Sequence, residues 1–367
     1  MIIKGKDLII GIRKAKGVVD ESSVIEDLRG FRFNPRENGI VDIAGSDGRM
    51  TLLAQIPYEK TDESDGSQLS LSSDKIQELV KYIDEDSNVS ISYTEEDDIV
   101  IIEVDKYRLK TRKKEFENEF IKFEILDETD FDDKLSSKKL VSILDSLLPL
   151  ARVDSPDASH QTIFFDTENA YLFDGNIVGK IKMKTNREYV IDYKSARQIQ
   201  VLLKSSDSEY CNLKYMEEDY QVLLRTETDI LTFRVMDDEL VEIDFMDEFE
   251  EDLRFTVNRT DLVNSVNKTK LATEEDEVFI NILKGKIKLK GMTQDGESAT
   301  DEVKITDVEG ELPKEDEEID LLAQSLIKLA GVIRTKELLV RLDKEEMYMI
   351  IEDTSGKAQT IMTVNIQ

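Results

Sequence analysis

Apolar residues recur at helical spacing in six segments: Lys6–Lys16, Ser73–Glu85, Ser136–Arg152, Tyr193–Lys204, Asn258–Leu271 and Asp320–Arg334. Leu140, Ile143, Leu144 and Leu147 illustrate the spacing, one face of a 3.6-residue period. Ser136 or Ser137 and Asn258 stand where helix N-caps belong, and Pro149 predicts the end or a kink of the third segment. Between the helices lie β-branched or alternating runs that predict paired strands. Asn88–Tyr93 precedes Ile99–Val104, Thr162–Phe165 precedes Ala170–Phe173, Tyr220–Leu224 precedes Ile230–Val235, and Val278–Leu283 precedes Lys286–Lys290. Short links that are acidic or contain Asn or Gly read as hairpin turns.

The order helix, strands, helix, strands runs three times, with a repeat of about 120 residues, an ordinary domain size. This predicts an α+β chain of three repeated domains, 1–125, 126–250 and 251–367, each with two helices packed on antiparallel sheets. The boundaries fall near Phe123–Asp130 and Met246–Asp252, both acidic and weakly patterned.

Hydrophobic residues make up 40% of the 367, enough for packed cores. No apolar run approaches the roughly 18 residues a membrane helix needs. Met1–Lys6 has neither the apolar stretch nor the cleavage site of a signal peptide. The expectation is a soluble, cytoplasmic protein with no membrane partner. Asn88, Asn258 and Asn267 head N-x-S/T triplets that count as chance matches without a secretion signal. A single cysteine, Cys211, excludes an internal disulfide and a multi-cysteine zinc site, and its strand-like setting predicts a buried structural thiol.

Charge changes the picture more. The net charge is −31, which by itself disfavours nucleic acid. Yet the six helical segments carry a net +9, leaving −40 for the rest. Arg13, Lys14 and Lys16 sit on the first helix, Lys138, Lys139 and Arg152 on the third segment, and Lys194, Arg197 and Lys204 on the fourth. Arg259 and Lys268 follow on the fifth and Lys328 on the sixth. The second segment departs from the pattern and is net acidic. A surface lined by such helices would attract a phosphate backbone without reading its sequence, while an acidic exterior repels it.

Catalytic patterns are missing. His160 is the only histidine, and neither a nucleophile elbow, a Walker loop nor a Rossmann glycine pattern occurs. Lys284–Gly291 is a basic strand pair with a turn rather than a phosphate loop, and Asp127–Asp133 lacks EF-hand spacing. The chain therefore reads as a non-enzyme with no cofactor and no metal.

Four local patterns give the chain a family resemblance. Met1–Lys16 followed by Gly39–Asp47 resembles the opening helix and "G-x-L-x-L-x-x-T-D" strand of the bacterial-type sliding clamp, the β subunit of the replicative DNA polymerase III. Tyr171–Val178 is similar to its "A-T-D-G-H-R-L" turn, Val241–Phe245 to its "F-P-D-Y", and Thr360–Ile366 to its terminal "V-V-M-P-M-R-L". The drift and acidity suit a fast-diverging, phage-type member of that family.

The resemblance implies a head-to-tail homodimeric ring around double-stranded DNA, with helices inside and sheets outside. It implies a DNA polymerase and a clamp loader as partners, the polymerase docking by a short peptide in a hydrophobic pocket. Carried over by position, Gly175, Asn176, Val178, Met362 and Val364 border that pocket, and Tyr107, Leu109 and Leu271 lie at the subunit interface. Thr363, Asn365 and Asn176 replace the family's proline, arginine and histidine, and Lys270 replaces an apolar residue. Two other classes stay open from sequence. One is an acidic clamp-like or DNA-mimicking protein that binds a polymerase or other partners without encircling DNA. The other is an acid-rich hydrolase that depends on His160 or a carboxylate pair.

Overall fold

A computed structural model describes the chain apart from residues 61–67, 95–97, 114–129, 236–242, 244–248, 274–275, 314–317, 364 and 367. The six expected helices are present: α1 (Gly5–Lys16), α2 (Ser73–Val80), α3 (Ser137–Leu147), α4 (Tyr193–Lys204), α5 (Arg259–Thr269) and α6 (Ala323–Val332). Pro149 acts as its position predicts: α3 stops at Leu147 and gives way to one 3₁₀ turn over Leu148–Leu150. The Asn258 side chain caps α5, accepting from the Thr260 and Asp261 N–H groups at 2.9 and 3.1 Å. α2 ends at Val80, five residues before its expected end, where the Lys81 and Tyr82 N–H groups bond the Glu78 and Leu79 carbonyls at 3.2 and 3.0 Å in a tighter three-residue turn.

The elements repeat three times as strand, helix, four strands, helix, three strands, with Asn365–Ile366 added at the end. Each helix begins directly off a short strand, and Lys4, Ser72, Asn258 and Leu322 are the last extended residues before theirs.

The described chain divides into two compact units. The first comprises Met1–Val141 and Lys194–Val235. It holds a four-stranded sheet in the order Ile2–Lys4, Asn88–Thr94, Ile99–Val104, Tyr107–Arg112. Its eight-stranded sheet runs Leu69–Ser72, Gly30–Pro35, Ile40–Ser46, Met50–Pro57, then Asp229–Arg234, Gln221–Arg225, Tyr210–Met216, Asp133–Ser136. The two halves of that sheet come from successive repeats and join by an antiparallel ladder from Asp229↔Ala54 to Phe233↔Met50.

The second unit comprises Ser142–Tyr193 and Met236–Gln367. Its thirteen strands start with Tyr189–Asp192, Thr162–Phe165, Asn169–Phe173, Ile177–Lys182, and pass to Ala358–Thr363, Tyr348–Asp353, Glu337–Asp343, Leu253–Asn258. The long strand Ser298–Gly310 then leads to Lys286–Met292, Glu277–Leu283, Ile319–Leu322 and Asn365–Ile366. Here too successive repeats meet edge to edge, from Ile177↔Met362 to Ile181↔Ala358. The expected boundary near Phe123–Asp130 lies almost wholly outside the described residues, as does much of the one near Met246–Asp252.

Helix packing follows the apolar stripes. Leu140, Ile143, Leu144 and Leu147 of α3 are all buried, each worth roughly 1.5–3 kcal/mol in apolar transfer. α1 sits close to its sheet because residue 11 is glycine: a Cβ there would lie 2.8 Å from Ile43 Cδ1.

Candidate nucleic-acid interface and sheet edges

The nominated cations do not form one class. Arg13 and Lys16 on α1, Lys138 and Lys139 on α3, Lys194, Arg197 and Lys204 on α4, and Arg152 beyond α3 are exposed or half-buried. Lys194 Nζ lies 2.6 Å from Asp47 Oδ2, and Arg197 donates to the Gln200 side chain. Lys328 is half-buried. Arg259 is half-buried as well, and its guanidinium donates to the Ile333 carbonyl at 2.8 Å, tying the start of α5 to the end of α6.

Lys14 corrects the sequence reading. Its side chain is 5% exposed and its Nζ donates to both carboxylate oxygens of Asp229, at 2.9 and 2.8 Å. Asp229 is itself fully enclosed and also accepts from the Thr226 and Thr228 hydroxyls. The Lys14 carbonyl receives the Gln198 amide at 2.6 Å. A lysine so placed joins α1 to a strand of the next repeat and does not reach a phosphate.

Lys268 holds the same place in α5, nine residues after the helix start, that Lys14 holds in α1. Its Nζ lies 2.8 Å from Asp301 Oδ2, and this hydrogen bond holds the Asp301 carboxyl below the ordinary carboxylate value. Lys270, the departure from the apolar pattern, pairs with Asp276 and donates to Gln324 at 2.9 Å.

The pocket residues Gly175, Asn176, Val178 and Met362 gather at the second repeat junction, whereas Val364 lies outside the described residues. Asp174 Oδ1 accepts from the Asn176 and Ile177 N–H groups, and Gly175 turns the chain at φ +98°. His160 packs over that glycine, where a Cβ would meet its ring at 2.7 Å. The ladder, however, pairs Val178 with Ile361 and Ile177 with Met362. Side chains alternate along a strand, so Val178 and Met362 point to opposite faces. Val178 shares its buried cluster with Phe164, Tyr171, Ile243, Ile350 and Ile361. Ile361 therefore shares the face of Val178, and Met362 shares that of Ile177.

Of the interface residues, Tyr107 is 54% exposed and Leu271 is 87% exposed, both large for apolar side chains in water. Tyr107 and Leu109 line a cavity of about 810 Å³ with Leu79, Tyr82, Ile83 and Val104. Leu271 follows α5 in the other unit. Among the described residues, strand Tyr107–Arg112 is laddered on one side only, and so is the first half of Ser298–Gly310.

His160 lies beside Ser155 and Asp157. His160 Nδ1 is 2.9 Å from Ser155 Oγ and its Nε2 is 3.7 Å from Asp157, but this trio lies in one short surface turn. Cys211 is buried, and burial pushes its thiol up to about 12. Among the described residues no group of three or more His, Cys, Asp or Glu could hold a metal, and no helix is long and apolar enough to cross a membrane.

The sequence matches no protein-family model and no curated protein. Solved structures match the whole chain. A sliding clamp from Pseudomonas aeruginosa bound to griselimycin aligns with a TM-score of 0.87 at 14% identity, covering 100% of this chain and 98% of that one. A putative DNA polymerase III β subunit from Eubacterium rectale aligns at 0.83 and 17% identity, covering 99% and 98%. The β subunit from Thermotoga maritima aligns at 0.82 and 16%, again covering 99% and 98%. The chain therefore has the full-length sliding-clamp fold.

Proposed function

We propose that this chain is the subunit of a processivity clamp: a homodimeric ring of three-domain protomers that encircles duplex DNA and tethers a polymerase. The observation that carries the reading is the threefold repeat, in which, among the described residues, two junction strands stay unpaired on the side where their counterparts join the next repeat. Inside the chain, strand Met50–Pro57 pairs with Asp229–Arg234, and Ile177–Lys182 pairs with Ala358–Thr363. In repeat order, the strands left over are Ser298–Lys304 and Tyr107–Arg112. A head-to-tail contact between two copies would repeat the internal junction once more and pair both of these strands on their second side.

The internal ladders carry over a register for that contact. Tyr107 would face the partner's Asp301, Leu109 would face the partner's Ala299, and Thr111 would face the partner's Glu297. Leu271 would enter the cavity beside Tyr107 and Leu109. Lys268 and Asp301 would then be enclosed as Lys14 and Asp229 are, which makes Lys268 a junction residue rather than a DNA contact. The three domains are those of the sequence, 1–125, 126–250 and 251–367. The remaining exposed cations, on α1, α3 and α4, supply the sequence-independent phosphate contacts. The polymerase peptide docks in the pocket that Gly175, Asn176, Val178, Met362 and Val364 border by resemblance, and a clamp loader opens the ring. The protein works in the cytoplasm and needs no catalysis, since topology alone provides the hold.

The test is salt-resistant retention. Nicked circular plasmid is incubated with the protein, its loader and ATP, then gel-filtered in high salt. A clamp stays on circles and is lost once the plasmid is linearised, because electrostatic contacts alone dissolve in salt. Equal loss from both DNAs with a competent loader would refute the ring and favour an acidic partner-binding protein.

A further inference from the structure

The Lys284–Gly291 segment, not a phosphate loop and not part of the helix surfaces, carries an unusual charge pattern. Side chains alternate across its strands. Ile280, Ile282, Ile287, Leu289, Val303 and Ile305 form the buried face. That face meets α5, since a Cβ on Gly291 would lie 2.2 Å from the Thr269 carbonyl oxygen. The opposite face carries Lys286, Lys288 and Lys290 on one strand and Lys304 on the next, with Lys284 in the turn. The ladder sets Lys286 directly across from Lys304. Like charges directly opposed destabilise a sheet. A chain with 80 acidic residues has carboxylates in excess to avoid this, yet among the described residues only Glu302, 2.7 Å from Lys286 Nζ, relieves the row.

The row has the dimensions of a phosphate backbone. Alternate residues of a strand lie roughly 6.7 Å apart, twice the rise per residue. Phosphates of one stacked nucleic-acid strand rise about 3.4 Å, so successive lysines meet alternate phosphates. Phe279 lies opposite Lys290 on the other neighbouring strand and is partly exposed beside the row. An aromatic next to a cationic track suits an unpaired base rather than a duplex edge.

We infer that this outer sheet face is a second nucleic-acid contact, which holds single-stranded nucleic acid by its phosphates and one stacked base. The inference does not rest on ring closure, since the face belongs to one repeat and lies away from α5.

The test is fluorescence anisotropy of the full chain with labelled oligothymidylate of about 16 nucleotides, the upper site size of one single-strand-binding fold, and with a duplex of equal length. Lys286→Gln/Lys288→Gln/Lys290→Gln is compared with Lys16→Gln/Lys138→Gln/Lys139→Gln. The sheet triple is expected to weaken single-strand binding tenfold or more and to flatten the log–log salt slope by about 2, three contacts at roughly 0.7 each. Phe279→Leu should weaken the single strand by about fivefold or more and leave the duplex unchanged. The melting temperature of the sheet triple should hold or rise, because opposed lysines are removed, so a binding loss is not a folding loss. Unchanged affinity and slope in the sheet triple would overturn the inference, as would loss of single strand only in the helix triple. Equal weakening of duplex and single strand would overturn the single-strand assignment, and displacement of the oligonucleotide by polyglutamate at matched charge would assign the face to an acidic protein instead.

Discussion

Replacing Lys14 by methionine separates the two roles this lysine could have. Both members of the Lys14–Asp229 pair are enclosed, with side-chain exposures of 5% and 0%. Removing one partner of a buried pair leaves an uncompensated charge and costs about 3–5 kcal/mol. For a compact unit of 150–250 residues each kcal/mol moves the melting temperature by roughly 2–4 °C, so Lys14→Met should lower the melting of the first unit by about 6–20 °C. Adding Asp229→Asn should recover most of that loss, since the amide keeps its place among Thr226, Thr228 and their hydroxyls without a net charge. Scanning calorimetry of the wild type, both single variants and the double variant measures the coupling. Were Lys14 a phosphate contact, the single variant would melt normally and its duplex-binding salt slope would fall by about 0.9. Normal melting with that reduced slope would refute the buried-pair assignment.

Three further outcomes rest on the same geometry. A Leu109→Cys/Ala299→Cys variant should form intermolecular disulfides under mild oxidation, whereas Leu109→Cys/Thr300→Cys, one residue out of register, should not; the buried Cys211 does not compete. Cys211 should resist iodoacetamide at pH 8 in the native protein and react fully in denaturant, because a thiol pushed up to about 12 is thiolate in only about one molecule in ten thousand at that pH. Asp320→Asn should raise the melting temperature at pH 7 and have no effect below about pH 3.8. Burial raises the folded carboxyl above its ordinary 3.8, so the wild type loses stability as pH climbs through that window. Calorimetry at pH 3 and pH 7 measures the difference.

How much of this was legible in sequence depends on the range of the interaction. The helices were, because their apolar spacing, Pro149 and Asn258 are local signals. The strand pairs were, because alternation and turns are local too. The six short strands leading into helices were not, because no turn residue separates Leu69–Ser72 from α2 or Ile319–Leu322 from α6. The burial of Lys14 was not, because its partner lies 215 residues away and a basic helix face looks alike whether solvated or paired. That Val178 and Met362 lie on opposite faces was not legible either, for a related reason: a one-residue shift of register reverses which face of a strand a side chain occupies.

The charge partition also changes meaning once the pairs are placed. The net +9 of the helical segments suggests one cationic surface, but the cations divide by their place in the repeat. Lys14 and Lys268 stand at the same position of α1 and α5, and each reaches a carboxylate on a strand at the border of a repeat. In the first unit that carboxylate belongs to the strand of the next repeat, Asp229, directly opposite Ala54. At the free edge it belongs to the lysine's own repeat, Asp301, which corresponds to Ala54. The acidic partner has crossed the ladder while the lysine has stayed. A junction inside one chain is always made, so its ion pair can span two repeats. A junction that must open and close is better served by a lysine already paired on its own side, since separation then leaves no buried charge behind. Substituting Asp301 by alanine should therefore weaken each half before assembly, lowering the melting of the second unit even in a protein held monomeric by Leu271→Lys. The loss in that monomer should be a fraction of the Lys14→Met loss, because Lys268 is 67% exposed and its pair is screened by water. Calorimetry of the Leu271→Lys protein with and without Asp301→Ala, beside the same comparison in the protein with Leu271 intact, reads the difference. A Leu271→Lys protein whose melting ignores Asp301→Ala, while that of the protein with Leu271 intact does not, would show that the pair forms across the edge and that the two junctions are alike after all.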